Sequence, residues 1–290
     1  MSVWWGGAAR GDDEVPLARD RALLLGDGLF ETVLVAGGRA VRLRSHLDRL
    51  ARSAERFAIP LPAALAETLA AAVPALWERE RRPARAALRV TVSRGAGRGL
   101  SAPAGPPGLV VSMAPLPGAP VGEPAPPASA VILDSPRVDP TDPLAGHKVV
   151  SAMHRVEARR AAVAAGADVA LLVTIDGDVC EADAANVFAV LDGVVVTPPL
   201  DRGVLPGITR RACIDELARS GRACAERRLA RNEIAVASEV FLTSSLDGVR
   251  PLRSVGASGI PVPGPVARWL AHCIAETAPG SEELVGPSGT

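Results

Sequence analysis

The sequence contains no tyrosine and no glutamine, only two asparagines (Asn186 and Asn232), and a single lysine, Lys148. Lysine and arginine together number 32, so arginine stands at every other basic position except the four histidines. A strong bias against particular residue types has acted on this chain, and the one lysine that survives it needs a reason. The missing tyrosine excludes any phenolic contact. Acidic and basic residues balance to a net charge of zero and are interspersed, which excludes the electrostatic footprint of a nucleic-acid-binding or membrane-surface protein. No uncharged apolar run approaches the roughly 20 residues of a membrane helix, and the first residues lack the basic-then-apolar order of a signal peptide. The expected partner is a small neutral or mildly anionic molecule, with no nucleic acid and no membrane, and the expected location is cytoplasmic. Four cysteines without C-x-x-C spacing read as buried thiols, and four scattered histidines give no expectation of a metal site.

Arginine serves wherever a surface charge is enough, but its guanidinium stays charged at any workable pH and is not a usable amine nucleophile. A covalent bond to an aldehyde, or a base of tunable proton affinity, needs a lysine. Read in isolation Lys148 is a leftover surface residue; the composition around it favours the functional reading.

At 290 residues and 48% apolar content the chain can bury a large core in two domains. Residues 29–36 are β-rich, Gly37-Gly38 is a turn signal and residues 39–43 alternate, so a hairpin is predicted. Ser45 with Asp48 resembles a capping box ahead of a helix running to about Ile59, and a second helix is predicted over 63–82. Strands at 87–93 and 108–114 flank a cationic, glycine-rich loop, Arg94-Gly95-Ala96-Gly97-Arg98-Gly99. Residues 115–128 are too rich in proline and glycine for regular structure and read as a linker between a small domain, 1–114, and a larger one, 129–290, that carries Lys148. Beyond it the pattern predicts a helix over 152–165, a strand over 168–175, antiparallel hairpins about Asp176-Gly177 and Asp192-Gly193, a helix opening at 205–210, strands at 240–243 and 248–252, and a final helix over 265–277.

Four features converge. Pyridoxal phosphate requires a lysine for its aldehyde, an acid for its pyridine nitrogen and a cationic or helix-N-terminal cradle for its phosphate. Lys148, Glu181, the glycine-led helix start at Gly207-Ile208-Thr209, and Arg49 supply these types. A carboxylate near the nitrogen favours the protonated ring, the stronger electron sink. Taken singly, Glu181 reads as an ordinary turn acid, Thr209 as an N-cap and Arg49 as part of a solvated helix face.

The same residues carry a resemblance. From about Gly26 to Leu252 the chain resembles the class IV aminotransferases, the fold-type IV pyridoxal phosphate enzymes. The matching stretches are residues 26–32 (GDGLFET), 46–50 (HLDRL) with Ser53-Ala54, 146–148 (GHK), Glu181 with Asn186 and Phe188, 205–210 (LPGITR) and 241–245 (FLTSS). The resemblance implies a two-domain α/β (α+β) fold with the cofactor between the domains, and a homodimer. It also implies Lys148 as the aldehyde-bonding lysine, Glu181 as partner of the pyridine nitrogen, and Arg49, Ile208, Thr209 and Ser245 around the phosphate.

Within the family, residues 92–101 are similar to the glycine-rich loop of the aminodeoxychorismate lyases, which form 4-aminobenzoate and pyruvate in folate biosynthesis. The expected activity is therefore that lyase reaction. The alternatives are a transaminase for branched-chain or D-amino acids, and a protein that binds the cofactor without turnover. Arg94 or Arg98 is expected to hold a substrate carboxylate by bidentate pairing, and Phe30 to face the substrate where several transaminases have a tyrosine. Glu181 lacks the serine or threonine that many relatives place after it.

Overall fold

A computed structural model of the chain describes residues 2–5, 7–11, 19–97, 99–100, 105–118 and 120–276. It is a mixed α+β protein in two compact units, the first extending to Pro117 and including Lys148–Ser151, the second formed by Gly118–His147 and residues 152–276.

The first unit holds β1 (Ser2–Trp5), β2 (Ala8–Gly11), α1 (Arg21–Leu25), β3 (Gly28–Ala36), β4 (Arg39–Ala40), α2 (Leu43–Arg56), α3 (Leu65–Arg79), β5 (Arg85–Ser93) and β6 (Gly108–Pro115). Its sheet has the order β2-β1-β6-β5-β3-β4, and every pairing is antiparallel. β3 pairs with β5 along its whole length, from Gly28 opposite Ser93 to Ala36 opposite Arg85. Val33 and Val35 of β3 and Leu88, Val90 and Val92 of β5 join Leu50 of α2 and Leu69 and Leu76 of α3 in one buried core. Full burial of such a side chain is worth about 1.5–3 kcal/mol.

The predicted hairpin is present, but its second strand is two residues long because the helix starts early, at Leu43. The expected capping box at Ser45 does not form. The N-cap is Arg42, which takes a left-handed backbone conformation (φ 53°) and makes no side-chain cap, while Asp48 pairs with Arg44 on the outer helix face.

The second unit contains β7 (Ala128–Ile132), α4 (Met153–Ala164), β8 (Val169–Val173), β9 (Val179–Ala182), β10 (Asn186–Leu191), β11 (Val194–Thr197), α5 (Ile208–Arg219), β12 (Cys224–Glu226), α6 (Arg231–Val236), β13 (Glu239–Ser244), β14 (Gly248–Val255), β15 (Ser258–Gly259) and α7 (Pro265–Glu276). The sheet runs β12-β11-β10-β13-β14-β7-β8-β9, with β15 on β14. The two predicted hairpins, β8–β9 and β10–β11, are antiparallel. The pairs β7–β8, β11–β12 and β14–β7 are parallel, a feature the hairpin signals do not carry. Parallel neighbours need a long crossover, and α4 and α5 lie within two of them. β8 is buried throughout and β10 nearly so, which is why both read as continuous apolar runs rather than as alternation. Phe188 and Phe241, opposite one another on β10 and β13, stack with centroids 5.2 Å apart.

Lys148 departs from the expected domain assignment. It groups with the first unit because residues 148–150 pair with the start of β3.

Candidate functional site

The segment carrying Lys148 is fixed by backbone hydrogen bonds. Phe30 N–H donates to the Lys148 carbonyl and Val150 N–H to the Gly28 carbonyl, each at 2.9 Å. This close approach explains both glycines of the Gly26-Asp27-Gly28 turn. A Cβ on Gly26 would lie 2.8 Å from Ser151 Cβ, and one on Gly28 would lie 2.8 Å from the Val92 carbonyl and 3.3 Å from Val150. Side chains alternate across a strand, so Phe30 and Glu31 leave β3 on opposite faces.

On the face of Phe30, Lys148 Nζ lies 4.2 Å from the ring centroid and the Arg89 guanidinium 3.6 Å from it. Arg89 sits on β5 two residues from Thr91, which is directly opposite Phe30, and its Nε donates to the Thr91 hydroxyl at 3.2 Å. No carboxylate of the described residues pairs with Arg89, and burial pulls the pKa of its guanidinium below the usual value.

On the other face, the buried Glu31 carboxylate accepts from Arg49 Nε (2.8 Å) and Nη2 (2.6 Å), and from His46 Nδ1 (2.8 Å). Burial by itself raises the Glu31 carboxyl, but the hydrogen bonds from Arg49 and His46 outweigh it and hold the pKa at about 2. Burial pushes His46 down, against the pull of Glu31, and the positive charges of Arg49 and Lys148 act in the same downward direction. Arg49 is therefore a buried, ion-paired side chain rather than part of a solvated helix face.

In the second unit Glu181 and Asn186 hold one short segment from both sides. Glu181 Oε2 accepts from Leu205 N–H at 3.1 Å, and Asn186 Nδ2 donates to the Leu205 carbonyl at 2.9 Å. Two residues on, Gly207 is the N-cap of α5 and supplies no side-chain cap. A Cβ there would stand 1.9 Å from Asn186 Oδ1, so only glycine fits. Thr209, expected near the helix cap, is its second residue; its hydroxyl donates to the Ser244 carbonyl at 3.0 Å. The structure thus brings Glu181, the first turn of α5 with Ile208 and Thr209, and the end of β13 next to Ser245 into one connected cluster.

The loop arginines fare differently. Arg94 directs Nε to both oxygens of Asp27 (3.1 and 3.0 Å), Nη1 to the Ala58 carbonyl and Nη2 to the Phe57 carbonyl. Its fork fastens the turn at Asp27 to the end of α2. Arg98 lies outside the described residues.

Sequence reasoning gave no role to Glu31 and His46, although both lie in matching stretches, and passed over Arg89 and Arg155. Arg155, in the first turn of α4, donates from Nη2 to Glu181 Oε1, and the negative charge of Glu181 raises its pKa further. The signals were present: Arg89 shares a strand face with Thr91, and His46 and Arg49 are three residues apart on a helix.

The class IV amino-transferase family model matches residues 28–255, and the chain belongs to that family. A putative branched-chain-amino-acid aminotransferase of Methanocaldococcus jannaschii is 32% identical over 80% of this chain and 80% of its own. The bifunctional aminodeoxychorismate lyase / D-amino acid transaminase of Mycobacterium tuberculosis is 29% identical over 89% of this chain and 91% of its own. Among solved structures, the 4-amino-4-deoxychorismate lyase of Pseudomonas aeruginosa superposes with a TM-score of 0.80 at 32% identity, covering 94% of this chain and 98% of that one. The chain is accordingly an enzyme, and the cofactor of its family is pyridoxal 5'-phosphate.

The residues present fit that group. The functional groups it needs are present in each unit taken by itself: an amine at Lys148 in the first, and in the second a carboxylate at Glu181 and, at the start of α5, backbone N–H groups kept clear of a Cβ at Gly207. No helix among the described residues is long and apolar enough to cross a membrane.

Proposed function

We propose that the enzyme is a pyridoxal-phosphate-dependent lyase that converts 4-amino-4-deoxychorismate to 4-aminobenzoate and pyruvate. Lys148 bonds the aldehyde, Glu181 accepts from the pyridine nitrogen, and Arg49, Ile208, Thr209 and Ser245 hold the phosphate. When bound, the cofactor supplies an electron sink for the bonds around the carbon that bears the substrate nitrogen.

The observation that carries the lyase reading is Arg89. A guanidinium with no carboxylate partner among the described residues lies on the same aromatic ring as the Lys148 amine, which suits a ring-shaped substrate with carboxylates better than an aliphatic side chain. Phe30 carries the Arg89 guanidinium and the Lys148 amine on its ring, and Arg89 takes the carboxylate role first expected of Arg94. Displaced by the substrate amine, Lys148 Nζ removes the proton from the ring carbon bearing the nitrogen. The C–O bond to the enolpyruvyl group then breaks with its electron pair leaving on oxygen, the ring becomes aromatic, and the released enolate takes up the proton at carbon as pyruvate. Atoms and electrons balance without a second keto acid.

A branched-chain or D-amino acid transaminase is the second reading, favoured by the similarity to the Methanocaldococcus aminotransferase. We also propose a homodimer working in the cytoplasm. Met153, Val156 and Val163 put an exposed apolar row on α4, 70%, 58% and 63% accessible, which supports burial against a second copy.

The test is incubation with aminodeoxychorismate in the absence of any keto acid. Equal amounts of 4-aminobenzoate and pyruvate, lost in Lys148→Arg, are expected. If neither product forms while D- or L-amino acids plus a keto acid react, the lyase reading gives way to the transaminase.

A further inference from the structure

α4 meets the end of β9 and the residue after it through two rungs of charge. Arg155 and Arg159 lie one helical turn apart, about 6 Å along the axis, and Glu181 and Asp183 lie two residues apart, about 6.6 Å along an extended chain. The two spacings nearly match, so each arginine reaches one acid.

The rungs are not equivalent. Arg159 pairs with Asp183 through Nε and Nη2 (2.5 and 2.7 Å), and Asp183 Oδ2 also accepts from Ala170 N–H at 3.2 Å. That rung ties α4 to β8 and is complete as a structural device. Arg155 makes one bond to its acid, Nη2 to Glu181 Oε1 at 2.5 Å, and two longer bonds from Nη1 to the carbonyls of Ala182 (3.4 Å) and Asp183 (3.3 Å). Among the described residues Glu181 Oε2 accepts one bond, from Leu205 N–H. A carboxylate has about four lone-pair sites, so this arrangement leaves acceptor capacity on a carboxylate whose plane is already fixed from two directions.

We propose that Arg155 is a positioning residue for the cofactor chemistry: it fixes the Glu181 carboxylate and weakens the grip of Glu181 on the proton of the cofactor's ring nitrogen. This rests on the reading that Glu181 faces that nitrogen. With a guanidinium on Oε1, the ring nitrogen faces an ion pair instead of a lone carboxylate, and the protonated ring is less favoured. The enzyme therefore works with a moderated electron sink. Elimination that ends in an aromatic ring supplies its own driving force and tolerates this, whereas transamination draws on the sink more heavily.

The test loads the enzyme with pyridoxal 5'-phosphate labelled with ¹⁵N in the ring and follows the nitrogen chemical shift against pH. Arg155→Met is expected to raise the midpoint of ring protonation by about one pH unit, and Arg155→Lys to restore at least half of that change. Arg159→Met, which removes the neighbouring rung, is expected to leave the midpoint in place. If Arg155→Met does not fold, Arg155→Gln keeps donors without charge and takes its part in the comparison. A midpoint unchanged on loss of the Arg155 charge overturns the proposal, as does an equal change in Arg159→Met. Glu181→Gln separates the two levels. If it leaves the ring nitrogen unaffected, the placing of Glu181 at that nitrogen fails and takes this proposal with it. If Glu181→Gln shifts the nitrogen and the Arg155 variants do not, only the role of Arg155 falls.

Discussion

Replacing Glu31 by glutamine tests the buried charge cluster beneath the Lys148 segment. The substitution keeps the shape of the side chain and removes its charge, leaving the Arg49 guanidinium and His46 facing a neutral amide. Two routes give the magnitude. The fall of the Glu31 carboxyl from its ordinary 4.5 to about 2 corresponds to about 3 kcal/mol of stability at neutral pH. Removing one partner of a buried ion pair costs about 3–5 kcal/mol. The two ranges meet at about 3 kcal/mol.

The pH dependence fixes the sign. A folded-state pKa below the unfolded one means that the unfolded chain binds more protons, so the contribution is fully present above about pH 4.5 and is lost as pH falls toward 2. His46, also lowered, acts in the same direction below its ordinary 6.5. Urea unfolding of the loaded enzyme at pH 7 is expected to show Glu31→Gln less stable by about 3 kcal/mol, with the gap to the parent narrowing by about 1 kcal/mol at pH 3.5. A gap under about 1 kcal/mol at pH 7, or one of constant size across that range, would refute the argument.

Gly207→Ala drives a Cβ to within 1.9 Å of Asn186 Oδ1 although its backbone is in an ordinary region (φ −65°). Cofactor affinity by equilibrium dialysis is expected to fall at least about tenfold, with partial recovery when Asn186→Ala makes room. Glu239 accepts from Val266 and Ala267 N–H, both at 3.0 Å, and so caps α7 from a strand distant in sequence; Glu239→Ala is expected to cost about 1–2 kcal/mol in the same unfolding assay. Cys180 is fully buried, and burial followed by the charge of Glu181 raises its thiol well above the usual range. In the native protein a thiol reagent is expected to spare Cys180 and to label the partly exposed Cys224 and Cys273 faster; early labelling of Cys180, located by peptide mapping, would contradict the packing around β9.

Much of the cofactor chemistry was legible in the chain itself. A sole lysine in a composition that strips lysine elsewhere marks a site because only an amine bonds an aldehyde, and that holds in any fold. The Asp192-Gly193 turn was legible for a similar reason: both residues take positive φ, 48° and 80°, which is a local demand written in local residue types. Hairpins and amphipathic helices rest on neighbours in sequence, and their positions were recovered. Parallel pairing, the fastening of Arg94 to Asp27, and the pairing of Glu31 with Arg49 were not. Each depends on which partner is brought near from far along the chain. An arginine in a glycine-rich loop looks equally ready for a substrate carboxylate or for Asp27, 67 residues earlier, and local propensity is blind to the difference. The sequence by itself determined which functional groups the protein has to work with. Tertiary structure decided their assignments, because hydrogen bonds and ion pairs between distant residues form only after the chain has closed on itself, and burial then gives each one its strength.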